Sequence, residues 1–202
     1  MVRRFSLSGG ELLLEPVGGK PALVIFGGGH LGRCLTRAAS MVGFRITVVD
    51  DRTEFANAER FPETDVTIAA DYGTAFRRLN ISSSTFIVIV TRAHQSDEQI
   101  LEQAVATPAR YIGMIGSMRK VRTTFEHLRA RGISRDSLGR VHAPVGLEIG
   151  AVTPEEIAAS IVAELINTRR RGPGSETHSM SVAANDLLSP RREPENNDRA
   201  VP

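Results

Sequence analysis

The sequence predicts a doubly wound α/β protein, a mostly parallel sheet with helices on both faces. Three observations carry this reading. Apolar runs of strand length alternate with segments of helical period. The runs are apolar throughout, as strands buried on both faces must be. The first of them ends in a glycine-rich turn that opens a helix.

In chain order, RRFSLSGGELLLEP reads as two short strands about Gly9-Gly10, a hairpin-like lead-in over residues 1–21. PALVIF is the first buried parallel strand. The next segment sets Leu31, Leu35, Ala38, Ala39 and Val42 on one helical face and stops at Gly43, a good terminator. Strands are predicted at 44–49, 66–69, 86–90 and 111–115, with helical stretches at 74–79 and 97–106 between them. Ser117 is placed to cap a helix that turns Val121, Phe125 and Leu128 inward and ends at Gly132. The last helix opens on Thr153-Pro154-Glu155-Glu156, a cap, a first-turn proline and a reciprocating carboxylate. Its Arg169-Arg170-Arg171 end suits the negative pole of the helix dipole. Right-handed crossovers then give the open sheet, a domain over 22–171. Residues 172–202 turn rich in Pro, Ser and Asn and read as a flexible tail.

Composition narrows the function classes. A net charge of +2 is too mild for a nucleic-acid surface, yet compatible with a small anionic ligand. The tail holds three Arg against five Asp and Glu, so +4 falls on the remainder. No apolar run approaches the ~18 residues of a membrane span. Met1-Val2-Arg3-Arg4 is followed by no apolar segment, so no signal peptide and no membrane partner are expected. A single cysteine fits a reducing, cytoplasmic setting. Cys34 falls on the apolar helix face and is expected to be a small core residue.

The chemistry concentrates at strand ends. Gly27, Gly28 and Gly29, then His30 and Gly32, make a G-x-G-x-x-G turn between strand and helix, and Asp50-Asp51 close the next strand about twenty residues on. This is the dinucleotide-binding, Rossmann-like fingerprint. Gly27 makes the turn, Gly29 lets amides approach a phosphate, and Gly32 lets helix and sheet close up. Asp50 would accept from a ribose diol, whereas Arg52 could meet a 2′-phosphate, which leaves NAD and NADP open. His30 is either a ligand contact or a solvated loop residue.

Further strand ends carry Asp71, then Thr91 with His94 and Asp97, then Ser117 with Arg119 and Lys120. Asp97 reads as a helix cap, and His94 as a ligand contact or a candidate catalytic group. The stretch YIGMIGSMRKV poses a puzzle, since two cations at a helix start oppose the macrodipole. Either both side chains point to water and cost little, or an anion is bound at a second strand–turn–helix corner, the answer favoured here. No metal-ligand cluster, activated nucleophile or acid–base pair is evident.

The stretches IFGGGHLG, VVDDRTEFANAERFP, TRAHQSDEQIL, YIGMIGSMRK and HAPVGLEIGAVTPEEIAASIVAELI, in this order, resemble the xanthine dehydrogenase accessory family (XdhC/CoxI type). The resemblance covers the C-terminal, Rossmann-type half of the usual member, and the cysteine-bearing N-terminal domain has no counterpart in this sequence. Met118 stands where another Arg is usual, and Ala93 where Gly is common. The resemblance implies an accessory, maturation role for molybdenum hydroxylases, without turnover of its own. It implies an apo molybdenum hydroxylase of the xanthine dehydrogenase type as partner, and the pterin molybdenum cofactor (molybdopterin) as an alternative ligand to NAD(P). It also puts His142, Pro144, Gly146 and Glu148 on patterned positions, Pro144 and Gly146 as shapers of a turn. Thiol handling of molybdenum is not expected, with Cys34 no substitute for the other domain. A homodimer is compatible with this reading.

Two other readings share the fold. One is a small NAD(P)-dependent oxidoreductase with His94 as proton donor. The other is a regulatory nucleotide-binding module, since the run from Asp71 through LNISSSTFIVIVT is similar to potassium-conductance regulator (RCK) domains.

Overall fold

A computed structural model describes residues 3–7, 10–14 and 19–171. The expected tail at 172–202 and the Gly9 end of the lead-in turn lie outside the described residues. Two antiparallel strands, β1 (Arg3–Leu7) and β2 (Gly10–Leu14), pair with each other as the lead-in predicts. The main sheet has six strands: β3 (Ala22–Phe26), β4 (Arg45–Asp50), β5 (Val66–Ala69), β6 (Phe86–Ile89), β7 (Tyr111–Met114) and β8 (Val141–His142). Their order is β5-β4-β3-β6-β7-β8, and every pair is parallel. The sequence's doubly wound, Rossmann-like expectation is met.

The continuous apolar runs have a simple cause. Successive side chains point to opposite faces, and both faces are covered. Val24, Phe26, Ile87 and Ile89 enter one core, beneath α2 (Tyr72–Ala75), α3 (His94–Val105) and α4 (Met118–Ala130). Leu23, Ile25, Phe86 and Val88 enter the other, where α1 (His30–Met41) and α6 (Pro154–Arg171) lie side by side. Leu35 and Ala39 of α1 and Ile161 and Leu165 of α6 are fully buried there.

Capping fixes the helix starts. The Ser117 hydroxyl accepts from the Lys120 amide at 3.3 Å. Thr153 accepts from the Glu156 amide at 3.3 Å, and the Glu156 carboxylate accepts from the Thr153 amide at 3.0 Å, the reciprocal box expected. The α6 end departs from expectation. Arg169 donates to the Val42 carbonyl at 2.9 Å, so it serves the C-terminus of α1.

Four elements differ from the sequence reading. Where one helical stretch is expected at 74–79, α2 ends at Ala75 and a 3-10 turn, Phe76–Arg78, follows. β8 has two residues, too few to leave an apolar run. α5 (Arg135–Gly139) is a short helix capped by Ser134, a signal carried by one serine. α3 begins at His94, three residues before Asp97, so Asp97 is inside the first turn and Ala93 holds the cap position.

Gly32 sets the distance between α1 and the sheet. A Cβ there would stand 2.0 Å from the Gly27 carbonyl oxygen, a backbone atom that cannot step aside. Gly32→Ala is therefore expected to lower unfolding free energy by about 1–3 kcal/mol in urea denaturation. Gly29→Ala, where a Cβ meets open space, should cost under about 1 kcal/mol, the loss of a glycine cap.

Candidate functional site

The strand order reverses between β3 and β6, and in folds of this order the crevice that takes ligands lies beyond the strands' carboxyl ends at such a point. Gly27 is the point of closest approach. Its φ is 114°, its amide donates to the Val49 carbonyl at 2.8 Å, and a Cβ would stand 2.5 Å from the Val90 oxygen. Gly28 is equally constrained, because a Cβ would stand 1.8 Å from the Phe55 oxygen. Gly29 differs. It holds the cap position of α1, no side chain caps that helix, and no acidic residue occupies its first turn. α3 likewise starts without a side-chain cap, at Ala93. Two helix starts with unanswered N–H groups flank the crevice, a setting suited to an anion.

Beneath the glycine turn lies Asp50, 1% exposed. Its carboxylate accepts from the Gly28 amide at 2.8 Å, the Arg52 amide at 3.1 Å and the Arg52 guanidinium at 2.9 and 3.2 Å. Burial pushes this carboxyl up, but the bonds from Arg52 and Gly28 outweigh it and hold it below the usual carboxylate range. Two expectations change here. Asp50 has its lone pairs committed within the protein, and Arg52 is locked onto Asp50 rather than turned to a 2′-phosphate. Asp51, with 37% of its side chain exposed, is the accessible carboxylate at this strand end.

The stretch after β4 supplies groups that sequence reasoning left without a role. Arg52 stacks 3.5 Å from the Phe55 ring centroid, and Arg60 lies 4.8 Å from the same centroid. Arg60 donates to the Gly28 carbonyl at 2.9 Å. Phe55 and Arg60 thus brace the glycine turn from below. Arg92, after β6, leans to within 3.9 Å of Asp51 across the crevice. Spacing alone carries no hint of these contacts.

At the β6 and β7 ends the charges are arranged differently than predicted. Asp97 is fully buried, takes the Thr91 hydroxyl on one oxygen and the Lys120 ammonium on the other. Burial pushes its carboxyl up, against the pull of Lys120 and Thr91. Asp97 therefore pins α3 to α4 and to the β6 end, and the cap role expected for it is corrected. Lys120 is no open cation, which removes half of the puzzle at this helix start. Arg119 is exposed, as are Ser117 and His94. All strands being parallel, Gly29 and Ser117 share one edge of the sheet, two strands or roughly 10 Å apart. Asp71 caps α2, accepting from the Gly73 amide at 2.9 Å, at the far side of β4.

Beyond β8, Glu164 of α6 is 2% exposed and gathers Tyr111 at 2.8 Å, His142 at 3.0 Å and the Gly146 amide at 2.6 Å. His142 also stacks on Tyr111, with centroids 4.4 Å apart. Gly146 has φ 108°, in keeping with a turn, and Glu148 is exposed.

The flank of α1 brings a further correction. Cys34 is partly buried and packs against the core rather than lying within it, with its thiol turned toward Glu155 of α6. Its Sγ lies 3.5 Å from the Glu155 carboxylate and 4.0 Å from His30 Nε2, and His30 lies 3.2 Å from the same Glu155 oxygen. His30 thus faces Glu155. Sequence reading expected no metal-ligand cluster, yet these three ligand atoms lie within 4.8 Å of one another. The i, i+4 pair was visible, but its third member is 121 residues away from Cys34.

Comparison with known proteins adds to this geometry. Residues 23–165 match the family model described as the XdhC Rossmann domain. The chain is 36% identical over 158 residues to the uncharacterized protein YqeB of Escherichia coli, covering 78% of this chain and 29% of that one. It is 32% identical over 166 residues to a probable xanthine dehydrogenase subunit of Bacillus subtilis, covering 80% and 47%. A crystal structure described as a xanthine dehydrogenase from Bacillus halodurans superposes with a TM-score of 0.68 at 35% identity, covering 80% and 47%. The chain thus spans less than half the length of each of these relatives. Among the described residues no helix is long and apolar enough to cross a membrane.

Asp50→Asn would leave the Arg52 guanidinium without its bidentate partner, at a cost of about 2–4 kcal/mol near neutral pH. Because the folded carboxyl is held low, its contribution is present above the unfolded value and fades as pH falls through the folded one. Urea denaturation of both proteins from about pH 7 to about pH 3 should therefore show the two stabilities converging in acid.

Proposed function

The chain belongs to the XdhC Rossmann-domain family, and from that premise we propose that it binds a diphosphate-bearing nucleotide at the β3–β6 crevice in the service of a xanthine dehydrogenase-type molybdenum hydroxylase. The observation that carries the binding half is the start of α1. Gly29 caps it without a side chain, faces open space, and has no carboxylate in the following turn. A helix start of this kind is worth about half a positive charge, and a phosphate is its natural complement.

The surroundings support the same ligand class. Gly27 and Gly28 press the turn against its neighbours and so hold the amides in place before any ligand arrives. α3 adds a second uncapped start across the crevice. Arg92 and Arg119 are exposed cations on that edge, and His94 is an exposed ring at the first position of α3. Asp51 takes over the ribose-accepting role first assigned to Asp50, since its carboxylate is reachable. NAD(P) and the nucleotide form of the molybdenum cofactor share the diphosphate that these groups would hold. The accessory role toward an apo-hydroxylase rests on family membership and on the relatives' names.

The test is calorimetric titration of the protein with NAD, NADP and ADP, beside a Gly29→Asp variant. An Asp at this position is a good cap and suits the dipole, so the variant should fold at least as stably as the parent. Its carboxylate would occupy the anion position, and nucleotide affinity should fall tenfold or more. Failure of all three nucleotides to bind, or unchanged affinity in the variant, would remove the crevice from the account.

A further inference from the structure

We infer that His30, Cys34 and Glu155 form a metal site for a zinc-class divalent cation, on the α1–α6 flank beside the start of α1. The inference does not rest on the nucleotide reading. It rests on three donors of the right kinds, an imidazole, a thiol and a carboxylate, converging from two helices.

The geometry is close to what such an ion requires. Ligand atoms about 2.0–2.3 Å from a tetrahedral zinc stand roughly 3.3–3.6 Å apart. Here the nitrogen–oxygen separation is 3.2 Å, sulfur–oxygen 3.5 Å and sulfur–nitrogen 4.0 Å. Only the last must close, by a few tenths of an ångström, and the exposed His30 ring has room to turn. A single oxygen, Oε1 of Glu155, faces both other ligands, as one monodentate carboxylate vertex would.

The scaffold is rigid where it needs to be. His30 and Cys34 stand one helical turn apart on the same face of α1. Glu155 sits in the first turn of α6, a start fixed by the Thr153–Glu156 box. The two helices are locked by the buried Leu35, Ala39, Ile161 and Leu165 behind the cluster.

On binding, a thiolate and the Glu155 carboxylate bring two full negative charges to the ion, set against the half-charges of the two nearby helix starts and the guanidinium groups of Arg33 and Arg37. As the metal–sulfur bond forms, the Cys34 proton passes to buffer. Three protein ligands leave a fourth vertex open, in the manner of zinc sites that keep a water or a substrate atom. The three donors line a surface cavity of about 390 Å³ together with Arg33, Arg37, Ala38 and Met41. Arg37 is drawn toward Glu63 at 3.3 Å. Arg33 remains exposed beside the cavity, so a small anion suits the fourth position.

The test uses the full chain without an affinity tag, kept reduced. Titration with Co²⁺ should give one equivalent bound, with the absorption of a tetrahedral ion and a thiolate-to-cobalt band, and Zn²⁺ should displace it. Cys34→Ser should abolish the thiolate band, and Glu155→Gln should weaken Zn²⁺ binding at least tenfold. His127→Ala, which alters an exposed histidine–carboxylate pair on α4, should change nothing. A second readout needs no variant. Cys34 is the sole cysteine of the sequence, so Zn²⁺ should slow its alkylation, read by mass spectrometry. Absence of one-to-one binding, a thiolate band surviving Cys34→Ser, full affinity in Glu155→Gln, or alkylation indifferent to Zn²⁺ would each overturn the site.

Discussion

A carboxylate taken out of water must be answered by donors, and among the described residues three such carboxylates, Asp50, Asp97 and Glu164, hold loops to the sheet. The Asp50 node is the one on which the rest depends. With four donors on two oxygens it joins the end of β4 to the glycine turn after β3, and it fixes which way the Gly28 amide points. Arg52 is held between this carboxylate and the Phe55 ring, and Arg60 closes the other side by reaching the Gly28 carbonyl. Loosening that node would leave a charged group and two backbone groups wanting partners at once. The turn is therefore held in place from below and open above.

The same device recurs along the sheet edge. Asp97 ties the β6 end, α3 and α4 through Thr91 and Lys120. Glu164 ties β7, the β8 end and the following turn through Tyr111, His142 and Gly146. These carboxylates spend their charge on holding loops. What stays outward is mainly of opposite character, helix starts without caps and the exposed Arg92 and Arg119, with the Asp51 carboxylate among them. A floor of satisfied anions beneath a positively biased rim is a coherent arrangement for holding phosphate oxygens at their proper depth. The α1–α6 flank obeys another logic, with soft and hard ligands gathered at the surface and the core packed behind them.

Much of this was legible in the amino-acid sequence. PALVIF, the other apolar runs and the glycine turn determine the layered fold, because both faces of a parallel sheet must be apolar and only glycine fits at Gly27 and Gly32. Thr153 through Glu156 specified a helix start to the residue, since a capping box is a local event. What the sequence hid was tertiary. Asp50 and Arg52 were readable as a ligand-facing pair or as each other's partner, and only the fold shows the second. Asp97 sits four residues into its helix because His94 begins it, which turns its side chain inward to Lys120. Cys34 lay on an apolar stripe wide enough to face either the sheet or α6, and the decision belongs to a helix more than a hundred residues later in the chain. β8 and α5 were too short to leave a period at all.

The central claim is that the amides opening α1 and α3, on either side of the β3–β6 switch, receive a diphosphate. Hydrogen exchange read by mass spectrometry, with and without saturating nucleotide, addresses those amides directly. The account predicts slowed exchange in the segments around residues 28–33 and 92–97, with little change in the segment around 135–139 on the far side. Protection confined to other segments, or an exchange pattern indifferent to nucleotide, would contradict it.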